Sequence, residues 1–471
     1  MAIDYEGEKM MGHRMTDIRE MQNAIISPST RFFTETVEVG RISPLSFFEA
    51  GASLYRDKRF YWQNADKTLT LVGVGHAYIL ANSKTDDRFK DISEKWKQLC
   101  SILIKEEKDI APVIFGGFSY DEKNRKESEW SGFPSAYFVI PSFQLKIEDG
   151  RTMVSINMIT DQKEAAADFE RLREERDRLI HVAQVEEFDF SNQNNILSMN
   201  ERGKAQYLSA VENSTELIRR GKADKVVIAR ALELSFEDEV SSVNALHAIT
   251  NEQQESYHFG LQKGKSLFFG ATPERLIEIS NGKAYSACVA GSIRRGKSAM
   301  EDRQLGEELL GDRKNREEHQ HVVDMISNVF NSYCSEVHIP KTPRLMKIRD
   351  IQHLFTPVEG TLAEEIDIFS FVEALHPTPA LGGVPTNVAL EIIRQEEGMD
   401  RGYYAAPIGW TDAVGNGEFA VAIRSALINE NRAYLYAGGG IVADSDAELE
   451  YEETWVKFRP VLRALGGKLN G

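Results

Sequence analysis

Cysteine is scarce: three in 471 residues, Cys100, Cys288 and Cys334, odd in number and far apart. That excludes a disulfide framework and any paired metal-ligand spacing, and each reads as a small buried apolar residue. Basic residues are also in deficit, with 56 Lys and Arg against 73 Asp and Glu, a formal charge of −17. Nucleic acid and anionic membranes both demand clustered Lys and Arg, so neither is expected as a partner. A small anionic substrate stays compatible, because a local pocket can oppose the global sign. No apolar run approaches the roughly 18 residues of a spanning helix. The opening MAIDYEGEKMMGHRM lacks the apolar stretch of a secretory leader, so a reducing cytoplasm is the expected location. No repeat of solenoid length and no low-complexity tract stands out.

What is present suits a folded, mixed protein. Hydrophobic residues make up 42% and charged residues 27%, and the length suits one large or two to three ordinary domains. Residues 1–15 read as a mobile tail and 16–198 as an N-terminal α+β part. Strand-like runs rich in Phe, Tyr, Val and Ile fall at Arg31–Val39, Phe60–Gln63, Leu69–Val74, Val113–Phe118, Ala136–Ile147 and Thr152–Ile159. Helices are expected over Asp87–Lys105 and over the charged stretch Asp161–Val182. The polar, Asn-rich Glu186–Ser198 reads as a linker. Residues 199–471 form the second part, with helices at Lys204–Arg220, Ala299–Leu310, Asn315–Tyr333, Val384–Glu396 and Ala447–Leu465. Its strands include Lys225–Leu234, Ser266–Phe269, Arg275–Ile279, Ala284–Val289 and Glu418–Ile428. Hairpins in blocks, rather than strict strand–helix–strand alternation, predict an α+β fold with antiparallel sheets.

Gly291-Ser-Ile-Arg-Arg-Gly-Lys-Ser298 fits the G-x-x-x-x-G-K-S phosphate loop. Two adjacent arginines sit where backbone must wrap on phosphate, and the flanking segments read as hairpins. A Gly-bounded basic turn is the better reading, with a nucleotide-binding protein the alternative from a different class.

A second set of residues could carry chemistry. Glu318 lies early in an expected helix, while Glu450, Glu453 and Lys457 share one face of another at helical spacing. Carboxylates from two helices could clamp a hard cation such as Mg²⁺ through oxygen; solvated faces and ion pairs are the commoner outcome of such spacing. Lys225 heads the apolar run Lys-Val-Val-Ile-Ala-Arg230. Burial of an ammonium favours its neutral form, which a lysine base requires; a solvent-facing strand end is the plainer reading. Glu274 follows Pro273 at the entry to a strand, where a partly buried carboxyl could stay protonated and act as an acid, or pair with Arg275. Arg424 could hold a carboxylate with both guanidinium arms, or an ordinary ion-pair partner. Gly438-Gly-Gly440 permits close backbone approach, and a tight turn is the better reading. His353, in an apolar strand, reads as a core histidine. The run Glu318–His321 lacks the i,i+4 histidines of a zinc site.

Eight segments in order resemble the chorismate-binding enzymes: KVVIAR, ATPERL, VAGSIRRG, KNREEH, LHPTPALGG, APIGW, GNGEFAVAIRSA and YAGGGIVADSDAELEYEETWVK, spanning about Lys204 to Leu465. The remaining N-terminal part looks like that of the long isochorismate synthases of menaquinone biosynthesis. The resemblance implies two large antiparallel sheets packed as a sandwich with helices outside. It places Lys225 on the family's water-activating lysine and Glu274 on its general acid. Glu318 and Glu453 fall on the Mg²⁺ ligands, with Glu450 as a supporting carboxylate. Arg424, Lys457 and the Gly438 backbone fall where the substrate's pyruvyl carboxylate is held. Gly291 and Ser292 fall on the pocket wall; His353, Ala380 and Leu381 line the ring. Aminating relatives lack a lysine at the Lys225 position, and Ala290 stands where the aminodeoxychorismate type often carries a nucleophilic lysine. Water is therefore the expected nucleophile, chorismate the substrate, isochorismate the product, and no amidotransferase subunit is expected. The aliphatic Ala380-Leu381 pair favours this over the salicylate synthases, the enzyme alternative. Ala406 departs from the glycine of many relatives. A monomer or weak homodimer is expected.

Overall fold

A computed structural model describes residues 26–83, 87–124, 129–161, 165–190, 194–347 and 351–467. The expected tail at 1–15 lies outside them. Two large sheets, almost wholly antiparallel, form the body. The first has 13 strands among the described residues. Its order runs Ile196–Arg202, Lys225–Phe236, Arg432–Ile441, Ser425–Asn429, Ser266–Thr272, Tyr257–Lys263, Arg59–Gln63, Leu69–Val74, Phe143–Glu148, Arg151–Thr160, Arg31–Val39 and Leu103–Ile104. The short Gly383–Val384 pairs with the head of Lys225–Phe236. The second sheet has 10, running Cys334–His338, Ile351–Leu362, Lys283–Arg294, Arg275–Ser280, Gly417–Val421, Pro407–Asp412, Val113–Phe118, Ala136–Ile140 and Tyr78–Asn82, with Arg344–Lys347 added on Ile351–Leu362. Strands from before and after residue 190 share both sheets.

Inner faces of the two sheets meet through aromatic residues, as where Phe60 stacks on Phe115 with centroids 4.6 Å apart. Such a pair adds about 0.5–1.5 kcal/mol beyond area burial. A second apolar cluster lies under the helices Pro44–Ala50, Ala165–Val185, Ser242–Glu252 and Ala447–Ala464, where Phe47, Leu179, Leu246 and Phe458 are almost fully buried.

The chain changes sheets in the middle of several apolar runs. The run expected as one strand over Ala136–Ile147 splits into Ala136–Ile140 in the second sheet and Phe143–Glu148 in the first. Pro141 stands at the break and brings no backbone N–H to a ladder. Ser266–Thr272 and Arg275–Ser280 are divided likewise at Pro273-Glu274. The expected strand Glu418–Ile428 is two, Gly417–Val421 and Ser425–Asn429, joined through Arg424 at φ 51°. Arg424 therefore lies on a bend rather than on a strand. Periodicity cannot see such a break, because an apolar run reads alike in either sheet.

Other boundaries moved too. The expected linker Glu186–Ser198 ends inside the strand Ile196–Arg202, whose backbone pairs with Lys225–Phe236. The helices Ser242–Glu252 and Ile368–Leu375 and the strands Cys334–His338 and Arg344–Lys347 were not expected. Gly438-Gly-Gly440 is no turn: it lies within the strand Arg432–Ile441, paired residue for residue with Val227–Ala229.

Candidate active site

Three strand-to-strand features and two helices bring the singled-out residues together. Lys225 opens the strand Lys225–Phe236, and the edge beside it is covered by Gly383–Val384. Gly383 has φ 133°, and a Cβ there would stand 2.1 Å from the Lys225 carbonyl oxygen, so only glycine permits this pairing. The Lys225 side chain is 14% exposed, and its Nζ donates to Glu318 Oε1 at 2.6 Å. Glu318 sits in the second turn of the helix Arg313–Tyr333, which Asp312 caps by accepting from the Asn315 N–H at 2.7 Å. The next residue, His319, is buried, with Nδ1 3.2 Å from the Ala290 carbonyl and Nε2 2.8 Å from the Thr356 hydroxyl. These bonds fix the helix against the second sheet and so fix where Glu318 emerges.

Glu274 stands at the crossing between sheets. It lines a narrow cleft with Val289, Val322, Thr378 and Ala380. The residue as a whole is part-exposed, while protein surrounds its carboxyl. Burial pushes the carboxyl up to about 7, while the positive charge of Lys225 pulls in the opposite direction. The alternative, a salt bridge with Arg275, does not form; Arg275 turns to Glu418 at 2.9 Å and Glu278 at 2.9 Å.

Lys457 Nζ donates to the Gly438 carbonyl and pairs with Glu453 Oε1, both at 2.7 Å. Glu450, one turn earlier on the helix Ala447–Ala464, accepts from the Ser445 hydroxyl at 2.7 Å. Its carboxyl is raised by burial, opposed by that hydrogen bond, and it feels Glu453, Lys457 and Lys225. Burial lowers Lys457, and the nearby Arg424 charge adds to this. His353 meets the Ser292 hydroxyl through Nδ1 at 2.7 Å. Burial, then the charges of Arg424 and Lys457, push it down to about 4, so it is neutral near pH 7. Gly291 is at φ 76° on a bulge facing Asn315, whose Oδ1 accepts from the Ser292 N–H at 3.2 Å. The carbonyl of Leu381 is held from behind by the Tyr120 hydroxyl at 3.0 Å and Arg401 Nη1 at 3.1 Å.

The electrostatic neighbours thus chain together: Glu274 with Lys225, Lys225 with Glu318 and Glu450, Glu450 with Glu453 and Lys457, and Lys457 with Arg424 and His353. His319, Asn315, Ser445, Tyr120 and Arg401 support this set and were not singled out from sequence. Only Asn315 and Ser445 carried a local signal: Asn315 follows the capping Asp312 by three residues, and Ser445 immediately precedes the capping Asp446. Two roomier cavities, about 480 and 540 Å³, lie beside Arg202 and Tyr434 and beside Trp96 and Asp367, and hold none of the singled-out residues.

The carboxylates of Glu318, Glu450 and Glu453 are hard oxygen donors, which suits a cation of the Mg²⁺ kind. Among the described residues, no grouping of three or more His, Cys, Asp or Glu side chains is close enough to hold a metal alone. The donor chemistry fits a cation whose remaining positions are filled by a ligand's oxygens.

The nucleotide-loop alternative does not survive. Gly291–Arg294 is β-strand, paired with Ile351–His353. The N–H groups that would meet phosphate already meet carboxylates: Gly296 N–H donates to Asp302 at 3.0 Å and Lys297 N–H to Glu301 at 2.7 Å. Arg295 and Lys347 pair with Asp302 as well.

Two large antiparallel sheets carry this cluster between their strands and helices, and the chain belongs to the chorismate-binding enzymes, whose family profile matches residues 19–466. Among curated relatives, the isochorismate synthase MenF of Bacillus subtilis is 40% identical over 465 residues, covering 97% of each chain. The salicylate biosynthesis isochorismate synthase of Pseudomonas aeruginosa is 35% identical, covering 91% of this chain and 90% of its own. Among solved structures, the menaquinone-specific isochorismate synthase MenF of Escherichia coli superposes with a TM-score of 0.77 at 23% identity, covering 95% of this chain and 97% of its own. That likeness confirms the expected α+β sandwich. Among the described residues no helix is long and apolar enough to cross a membrane.

Proposed function

We propose that the chain is an isochorismate synthase that converts chorismate to isochorismate reversibly, as an isomerase serving menaquinone biosynthesis in the cytoplasm. Lys225 at the head of a strand and Glu274, an enclosed carboxyl at a crossing between the sheets, act on one another electrostatically, and this pairing of a lysine with a carboxyl carries the reading. Full-length similarity to the B. subtilis isochorismate synthase supports it.

Lys225, in its neutral form, takes a proton from water, and the oxygen bonds to ring carbon 2. The ring double bonds shift, and Glu274 gives its proton to the departing 4-hydroxyl, which leaves as water. Each of these groups contributes roughly 10²–10⁴-fold. In the reverse direction the two exchange roles, and similar bonds made and broken leave the equilibrium near balance. Arg424, Lys457 and the Gly438 backbone hold the pyruvyl carboxylate. Gly291, Ser292, neutral His353, Ala380 and Leu381 form the wall around the ring. Glu318 and Glu453, with Glu450 beside them, would hold Mg²⁺, which supplies fixed positive charge for the ring carboxylate. Lys225 stands where the ammonia-using relatives lack a lysine, and Ala290 offers no side-chain nucleophile, so water attacks and no amidotransferase subunit is called for.

Chromatography of the products from chorismate and Mg²⁺ tests the reading. Isochorismate as the accumulating product supports it. Pyruvate release, detected with coupled lactate dehydrogenase, would move the chain to the salicylate synthases. Unchanged chorismate would overturn it.

A further inference from the structure

The three consecutive glycines of the strand Arg432–Ile441 face three different obstacles. None adopts the left-handed conformation that would itself call for glycine. A Cβ at Gly438 would meet backbone, the Ile228 carbonyl oxygen, at 2.7 Å. At Gly439 it would meet the Glu450 carboxylate at 2.9 Å. At Gly440 it would meet Cε of Lys225 at 2.6 Å and its Nζ at 3.2 Å. Gly440 stands opposite Val227, and Lys225 lies two residues back on the same face. The lysine shaft therefore lies flat across the strand in the space where a side chain at 440 would be.

We propose that Gly440 is a positioning residue for the lysine base: the missing Cβ is the slot through which the Lys225 side chain reaches its working place beside Glu318. The proposal deepens the reading of Lys225 as general base and rests on it.

The obstacle decides how the protein would respond to a methyl group. Backbone atoms cannot yield cheaply, so Gly438→Ala strains the sheet. The end of a lysine is flexible, and rotating it away is the least costly relief for Gly440→Ala. The fold survives that substitution while the amine leaves its place. A 1 Å displacement of a catalytic group is enough to lower turnover by orders of magnitude. Gly439→Ala would push Glu450 instead and leave the lysine alone.

The test compares Gly440→Ala with wild type in chorismate turnover and thermal melting, alone and in a Lys225→Ala background. Expected for Gly440→Ala are a kcat at least tenfold lower, KM for chorismate within twofold, and a melting temperature near wild type. In the Lys225→Ala background the same change should alter the residual rate by less than twofold, because nothing remains to displace. A kcat within twofold of wild type would overturn the proposal, as would an equal loss in both backgrounds. Should wild type itself leave chorismate unchanged, the functional reading fails first. The slot is then judged by a crystal structure of Gly440→Ala: Lys225 Nζ displaced from Glu318 upholds it, and Nζ still in place removes it.

Discussion

Lys225 Nζ and Glu318 Oε1 lie 2.6 Å apart, joining the head of a strand in the first sheet to the second turn of a helix packed on the other sheet. The proposed base and a proposed metal ligand are thus in direct contact. Lys225→Ala should lower kcat by roughly 10²–10⁴-fold with little change in fold, since the ammonium is at the edge of the core. Circular dichroism alongside product chromatography checks this, and near-native turnover would remove Lys225 from the mechanism.

Removing the cation tests the carboxylates. Turnover should vanish in chelator and return with added Mg²⁺. Glu318→Gln and Glu453→Gln should each weaken Mg²⁺ binding by at least tenfold in calorimetric titration. Wild-type affinity in either variant would exclude that residue as a ligand.

Glu274 gives a pH prediction with a definite sign. Its carboxyl is raised from 4.5 to about 7 in the folded chain, by burial. Below pH 4.5 it is protonated folded and unfolded alike, and its contribution to stability is whole. As pH rises through about 7 the folded state must ionise it, and that contribution is lost. The melting temperature of wild type relative to Glu274→Gln should therefore fall between pH 4.5 and 7 and level off above. Parallel profiles for the two would show an unshifted carboxyl. Glu418, raised in the same direction, is present in both proteins and cancels.

Arg401 and Glu397 form a fully buried ion pair, and Arg401 also donates to the carbonyls of Val227 at 2.7 Å and Leu381 at 3.1 Å. Arg401→Ala strands the Glu397 charge and frees the carbonyls of Val227 and Leu381. Urea unfolding should show a loss of about 3–5 kcal/mol. A loss below about 1 kcal/mol would mean that the pair is not closed in solution.

The filled loop Arg295–Ser298 predicts that ATP and GTP bind nowhere near Asp302. Calorimetric titration with either should give no saturating heat, and a micromolar isotherm would revive the nucleotide reading.

Much was legible in the residues because chemistry that depends on residue type is written locally. Lys225, Glu274, Glu318 and Glu453 stand in recognisable segments, and the caps Asp312 and Asp446 mark the helices that carry the carboxylates. Helix Ala447–Ala464 agrees with its expected range to within a residue, because its apolar face repeats at helical spacing. The glycine run misled, because close approach and turning both call for glycine; only the neighbouring Lys225 and Glu450 side chains distinguish them.

By itself the sequence determined the class of fold, the lack of paired cysteine spacing and of any apolar run long enough for a spanning helix, and the short segments that carry the proposed acid, base and carboxylates. Each of these follows from composition or from residues near one another along the chain. The tertiary structure alone decided where an apolar run leaves one sheet for the other, placing Glu274 and Arg424 at those crossings. It also decided that Lys225 meets Glu318, that Arg401 braces Leu381, and that Gly440 leaves room for a lysine. Those outcomes depend on contacts between residues far apart in sequence, which no local pattern of hydrophobicity or charge encodes.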